Sequence, residues 1–418
     1  MHRYSRFIAV FMFLALAGAA LNTVYGELLL RPVDPREVGI SPQRLEKLDA
    51  ITLEHIEKKQ FPGAVILVAR KGGIVYRKAF GDRTVSPSRS PMEVDTIFDL
   101  ASLTKIMPTA VAIMILVEEG RLALSDPVSK HLNRFSQYGK HRVTVRQLLT
   151  HYSGLRPSLS LKTKWRGYEA AVARACREQL ATRPGARFRY SDINYVVLGE
   201  LVRVISGDHL DAFSRKRVFE PLGMMDTFFN PRERMKSRIA PTERHEGEML
   251  QGRVHDPTAA RMGGCAGHAG AFSTAEDVAR FGQMILNGGV YDGRRILSPL
   301  GVLQMTTPQS PTGKPVLRGL GFDIHSRYHA PRGDLFPVGS FGHSGFTGTS
   351  LWIDPYTETL VVILTSRLHP NGRGDAVPFR KRVASIVGAS IVDRVPIRAI
   401  RSTLWSGPAT SEPVKRTR

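Results

Sequence analysis

Along the first hundred residues the apolar positions change their period twice. Behind Ser41-Pro42, a good N-cap and first-turn pair, Leu45, Leu48, Ile51 and Ile56 recur at near-helical spacing, and Pro62-Gly63 ends the run. Two strand-like runs follow, 64–70 and 73–80, and Lys71-Gly72 between them predicts a hairpin turn. A polar stretch rich in Ser and Pro then leads through Phe98-Asp99-Leu100 into a segment of a third kind. From Met107 to Glu119 the chain is apolar almost all round, the pattern of a helix buried on every side, and Gly120 is its natural stop.

From Leu122 to about Leu300 the period is mainly helical, with helices predicted over 145–149, 168–180, 194–205 and 275–286. After Gly319 it changes again. Segments 319–324, 350–353 and 360–366 read as strands, with Asp354-Pro355 as turn chemistry, and a last helix runs from about Phe379 to Ile391. Strands early and late, with helices between, predict an α/β fold of the α+β type. One sheet is assembled from both ends of the chain, and it is antiparallel because its late strands are joined by short turns. The expected division is a sheet part over 27–101 and 301–400 and a helical part over 102–300.

The chain of 418 residues is 42% hydrophobic and 23% charged, enough to bury a large core. His2, Arg3 and Arg6 precede an apolar run from Phe7 to Leu21, with small residues and Gly26 offering cleavage sites. Residues 1–26 therefore read as a secretory signal peptide, an uncleaved anchor being the alternative, and no later segment reads as a membrane span. The tail beyond Arg401 is polar and basic, the composition of a disordered end. The formal net charge of +22 favours anionic surfaces, but the basic residues are scattered. This points to loose association with an anionic envelope and not to nucleic acid. Two cysteines, Cys176 and Cys265, are too few for a disulfide scaffold, and two free buried thiols are expected. A zinc site from Cys265 and His268 lacks a second ligand pair.

Three short stretches carry candidate chemistry. Ser102 and Lys105 are three residues apart, so on a helix they share a face at the start of the apolar run. A serine there, with a lysine one turn away as proton acceptor, is a candidate nucleophile. Pro108 lacks an N–H and should bend the first turn. Tyr190-Ser191-Asp192 lies in a loop just before a helix, where a phenol near an ammonium suits general base work. Packing of Tyr190 and capping by Asp192 would be the structural reading of the same residues. Gly342-His343-Ser344-Gly345-Phe346-Thr347-Gly348 leads into a strand, and its glycines allow close backbone approach to a ligand. There His343 could orient a substrate or hold a carboxylate. The stretch is a near miss for a G-x-S-x-G elbow, with the last Gly two residues late, so Ser344 is a weak rival nucleophile.

These elements, in this order and spacing, resemble the serine β-lactamase and penicillin-binding superfamily, and most of all its class C-like branch of β-lactamases, D-alanyl-D-alanine carboxypeptidases and β-lactamase-like esterases. Pro62-Gly63-Ala64-Val65, the run 148–155 and Gly267-His268-Ala269-Gly270-Ala271-Phe272-Ser273-Thr274 add to the likeness, which covers about 35–392. The resemblance implies a β-lactamase-like fold and an exported serine hydrolase working through an acyl-enzyme. Its substrate is an ester, a D-amino-acid peptide of the cell wall or a β-lactam. It implies Ser102 as nucleophile, Lys105 and Tyr190 sharing acid/base work, and Asp192, His343, Ser344, Gly345 and Phe346 lining the substrate. The N–H groups of Ser102 and Phe346 would form an oxyanion hole, and no metal or organic cofactor is implied. Two departures stand out: Asp192 replaces the family's frequent Asn, and His343 replaces the lysine of K-T-G. A carboxylate only accepts hydrogen bonds where an amide also donates, so esterase or peptidase is favoured over a dedicated β-lactamase. The rival class is a non-catalytic wall-binding protein of the same fold.

Overall fold

A computed structural model of the chain describes residues 27–394; the expected signal peptide and basic tail lie outside the described residues. Its main sheet has nine strands: β1 Arg31–Pro32, β2 Gly63–Arg70, β3 Gly73–Thr84, β4 Ser90–Pro91, β5 Leu317–Arg318, β6 Asp323–His325, β7 Phe341–Ser344, β8 Ser350–Asp354 and β9 Thr359–Thr365. Their order is β1-β3-β2-β9-β8-β7-β6-β5, with β4 beside β3. The N-terminal hairpin thus meets the C-terminal strands at β2–β9, in register from Arg70 opposite Thr359 to Ala64 opposite Thr365. The sheet joins both ends of the chain as the pattern predicts. It is antiparallel throughout except at its edge, where β1 pairs with β3 in parallel.

The central strands are buried on both faces, which is why they read as continuous apolar runs. Because side chains alternate, β2 splits its residues between two cores. Ala64, Ile66 and Val68 join Trp352, Val361 and Ile363 under two terminal helices, α1 Lys47–Glu57 and a C-terminal helix Val377–Ser390. Val65, Leu67 and Ala69 face the other way, into a larger core shared with the helical middle of the chain. Full burial of one such side chain is worth about 1.5–3 kcal/mol, so these layers hold the sheet between them.

Three further helices build the middle: α2 Val111–Glu118, α3 Asp192–Ser206 and α4 Ala275–Leu286. A small sheet of Phe98–Asp99, Ala271–Ser273 and Phe228–Phe229 ties the end of the first sheet segment to that middle.

Several elements differ from expectation. The first helix breaks at Glu46, with Pro42–Leu45 capped by Ser41 before α1 begins. Segment 319–324 is a tight turn between β5 and β6, because Gly321 takes φ +92° and Gly319 N–H closes on the Phe322 carbonyl at 3.0 Å. The helix from Tyr168 stops at Arg177. Ala101–Glu118 is in fact long and apolar enough to cross a membrane, but 83% of it is buried in the fold, which accounts for its composition.

Candidate active site

Ser102 owes its place to the chain just before it. Asp99 is buried, and its two carboxylate oxygens take different backbone donors: Ala101 N–H at 2.9 Å and His255 N–H at 2.7 Å. Ala101 is thereby held at φ +45°, a left-handed conformation costly for a residue with a side chain. The chain then enters a 3₁₀ turn, Ala101–Lys105, a π turn, Ile106–Ala110, and only then α2. The expected helix start is therefore tighter and then wider than an α-helix. Pro108 lies in the π turn, where its missing N–H is tolerated.

Lys105 is fully buried and uses all three of its N–H donors. Nζ donates to Ser102 Oγ at 2.9 Å and to the His268 carbonyl at 3.0 Å, and pairs with Asp192 Oδ1 at 2.8 Å. Burial pulls the pKa of this ammonium down, but the Asp192 carboxylate and Tyr190 outweigh it, leaving it above the ordinary lysine value. Asp192 is the first residue of α3 and not its cap, a position held by Ser191. Its carboxylate faces Lys105 instead.

Tyr190 completes this wall, its ring centre 5.0 Å from Lys105 Nζ. Burial raises its phenol pKa and Asp192 adds to that, while Lys105 and Ser102 pull it back without restoring the usual value. Sequence reasoning missed the support beneath it. His151 stacks on the Tyr190 ring with centroids 4.4 Å apart and accepts the Ser191 N–H on Nδ1 at 3.1 Å. Burial, then the charges of Arg318 and Lys105, keep His151 neutral far below its ordinary pKa. The only signal for it was its place in the run 148–155.

The opposite wall comes from β7 and the turn to β8. Thr347 Oγ1 donates to the Asp99 carbonyl at 2.7 Å and Thr349 Oγ1 to the Leu100 carbonyl at 2.9 Å, stitching the turn to the residues before Ser102. Gly345 lies in that seam: a Cβ there would sit 2.5 Å from the Leu100 carbonyl oxygen and 2.1 Å from Thr349 Oγ1. Arg380, buried on the C-terminal helix, reaches through to donate to the Gly345 and Thr349 carbonyls, each at 2.8 Å. Nothing in the sequence marked it. Among the described residues, neither Ser102 N–H nor Phe346 N–H has a hydrogen-bond acceptor.

His343 is buried behind Tyr190, ring centroids 6.1 Å apart, with Nδ1 2.9 Å from the Ser344 carbonyl. Burial, then Arg318 and Lys105, hold it neutral well below the usual histidine value, so it brings no positive charge for a carboxylate. Ser344 Oγ makes no hydrogen bond among the described residues, and so has no base beside it. The Phe346 side chain is exposed at the mouth, with His255 stacked near it and Arg367 4.3 Å from its ring centre. Cys176 and Cys265 are both free, Cys265 only partly buried. His268 is engaged with Asp256, and no cluster of metal-ligating residues occurs among the described residues.

The chain belongs to the beta-lactamase family, whose profile matches residues 48–385. A protein of Salmonella schwarzengrund strain CVM19633, provisionally named D-alanyl-D-alanine carboxypeptidase, is 30% identical over 410 residues, covering 88% of this chain and 94% of its own. The namesake of Salmonella typhimurium strain LT2 is 30% identical over 380 residues, 82% of this chain and 87% of its own. Among solved structures, a penicillin-binding protein homologue from Caulobacter crescentus superposes with TM-score 0.69 at 24% identity, covering 84% of this chain and 99% of its own. EstCE1, a hydrolase with promiscuous acyltransferase activity, does so with TM-score 0.68 at 23% identity, covering 83% and 99%. The fold is thus the β-lactamase-like fold, and the relatives are serine hydrolases.

Proposed function

We propose that the chain is an exported serine hydrolase that works through an acyl-enzyme on Ser102. The observation that carries this is the position of Lys105 Nζ, 2.9 Å from Ser102 Oγ and 2.8 Å from Asp192, beneath Tyr190. An ammonium whose three donors are engaged has no lone pair, so Lys105 does not itself take the serine proton in this state. The Tyr190 oxygen takes it, and Lys105 stabilises the phenolate that does so. The carbonyl carbon of the substrate bonds to Ser102 Oγ, the oxyanion rests on the Ser102 and Phe346 N–H groups, and the proton returns to the leaving group as its bond breaks. Water then repeats the sequence and frees Ser102.

The pKa values of Lys105 and Tyr190 both lie above their ordinary ones, so the reactive protonation state is scarce at neutral pH. Acylation should therefore accelerate as pH rises, with an apparent pKa belonging to the pair. An ester or a D-alanyl peptide suits the site better than a β-lactam, because Asp192 accepts where an amide would also donate. The carboxypeptidase-named relatives and the esterase-like structures support this substrate range.

The test is intact mass after incubation with benzylpenicillin, a p-nitrophenyl ester and a D-alanyl-D-alanine peptide, followed by mapping of the adduct. A covalent adduct on Ser102 is expected. No adduct from any acyl donor would leave the wall-binding reading in its place.

A further inference from the structure

Behind Ser102 and Lys105, on the side away from Tyr190, lies a group of polar residues the reaction scheme does not use. His268 is 1% exposed, and its Nε2 is 2.8 Å from Asp256 Oδ1. The same oxygen caps the helix Pro257–Arg261 by accepting the Ala259 N–H at 2.7 Å. The carbonyl of His268 accepts from Lys105 Nζ at 3.0 Å, and that of its neighbour Gly267 from Thr109 Oγ1 at 2.7 Å. There is no slack in this turn. Ala266 and Ala269 bridge one another, and a Cβ on Gly267 would lie 2.0 Å from the Tyr195 carbonyl oxygen. The residue before Asp256 acts on the other partner: its N–H is the donor that, with Ala101 N–H, fills the Asp99 carboxylate.

We infer that Asp256 and His268 are positioning residues, and that the His255-Asp256 dipeptide sets the distance between nucleophile and lysine from behind. One arm runs from the His255 N–H through Asp99 to Ala101 and Ser102. The other runs from the Asp256 carboxylate through the His268 imidazole to the His268 carbonyl and Lys105. This rests on the acyl-enzyme reading above for its consequence, though not for its geometry. The imidazole is needed because a carbonyl in a turn is only as fixed as the turn, and the Asp256 hydrogen bond removes the rotation left to it. Charged and titratable groups around the pair are Asp99, His255 with its partner Glu243 at 2.6 Å, and Lys105 with Asp192 and Tyr190 beyond it.

The experiment compares Asp256→Ala, Asp256→Asn and His268→Ala with the unaltered chain. It reads the acylation rate constant and the pre-covalent binding constant separately, with melting temperature alongside. Asn keeps an oxygen that can accept from both Ala259 N–H and the imidazole, so Asp256→Asn should acylate within about threefold of the parent. The two Ala variants should lose roughly 10- to 100-fold in acylation with binding unchanged, the signature of a misplaced reactive group. Ala variants that acylate at the parental rate would overturn the inference. So would an Asn variant that falls as far as Asp256→Ala, since charge and not the hydrogen bond would then be what matters. Crystal structures of the parent and His268→Ala supply a readout independent of activity. Lys105 Nζ should leave the residue-268 carbonyl in the variant, and an undisturbed contact would count against the clamp. If the unaltered chain itself is never acylated, the functional reading fails, and this structural comparison still decides the geometry.

Discussion

The two walls of the cleft are built by different means. The helical wall, Ser102, Lys105, Tyr190 and Asp192, is a set of side chains held by charge, with one ammonium shared among a hydroxyl, a carboxylate and a carbonyl. The strand wall, from His343 to Thr349, offers a backbone N–H, and what holds it is the fit of Gly345 against Leu100 and two carbonyls gripped by Arg380. On the first wall a change of side chain alters proton affinity. On the second it alters position. A substitution should therefore move the pH profile on one side and mainly the rate on the other.

The largest expected effect lies on the helical wall. Ser102→Ala should remove p-nitrophenyl ester turnover by at least roughly 10³-fold, as loss of a nucleophile does. Ser344→Ala, on the other wall, should only weaken it. Steady-state rates of the two variants settle the matter, and a Ser102→Ala enzyme with most of its rate would reopen the case for Ser344.

Next is Gly345→Ala. Its new methyl must push against the Leu100 carbonyl, so either the turn or the Ala101 strain gives way. Losing one oxyanion donor costs about 10²–10³-fold in kcat. The contrast with the helical wall is that the pH optimum should stay where it was. A full pH series of kcat for this variant is the measurement, and a profile displaced by more than its rate would blur the division proposed here.

Asp192→Asn probes the reverse. Removing this carboxylate lowers the pKa of Lys105 and of Tyr190 alike, because the charge raises both. The rising limb of kcat/KM should then move to lower pH, by roughly 1–3 units for an ion pair at such close range. The added donor should also raise activity on a cephalosporin relative to an ester. An unmoved profile together with an unchanged ratio of the two substrates would show that Asp192 plays no part in the chemistry.

The smallest effect concerns stability, outside both walls. Asp277 in α4 is buried, accepts from Asp226 N–H and Thr227 Oγ1, and has its pKa pushed up to about 6, burial being the leading cause. Its folded pKa exceeds its unfolded one, so the folded state holds the proton more tightly. Stability is thus greatest below about pH 4, falls as pH rises to about 6, and stays lower above, by roughly 1–3 kcal/mol. Asp277→Asn should raise the melting temperature at pH 7 and flatten its fall between pH 4 and 6. Thermal melts across that range check it. A similar gain from Asp192→Asn would mean that relief of a buried charge, and not site chemistry, explains that variant too.

How much of this could be read from the chain follows the same division. Ser102, Lys105 and Tyr190 stood out because their chemistry resides in residue type and spacing, and the structure brings them together. The two-ended sheet was legible from the change of period, since strands buried on both faces must be apolar at every position. Segment 319–324 misled because a glycine-rich turn beside a short strand has the same composition as a strand. His151, Arg380 and the Asp256–His268 pair were not found. Each acts on a partner far away in sequence, and a single histidine or arginine has no periodicity to betray it.

By itself, then, the sequence determined which layers the helices and strands form and which side chains carry reactive atoms. Both are local consequences of hydrophobic period and residue chemistry. Only the tertiary structure decided the protonation of Lys105, because that depends on a carboxylate brought to 2.8 Å and on the exclusion of water around them. It alone decided that Ala101 is held in a left-handed turn, since the strain is sustained by Asp99 and a backbone N–H from residue 255. Distance and burial set the energy of a charge and the tolerance of a strained bond, and neither is a property of any one stretch of chain.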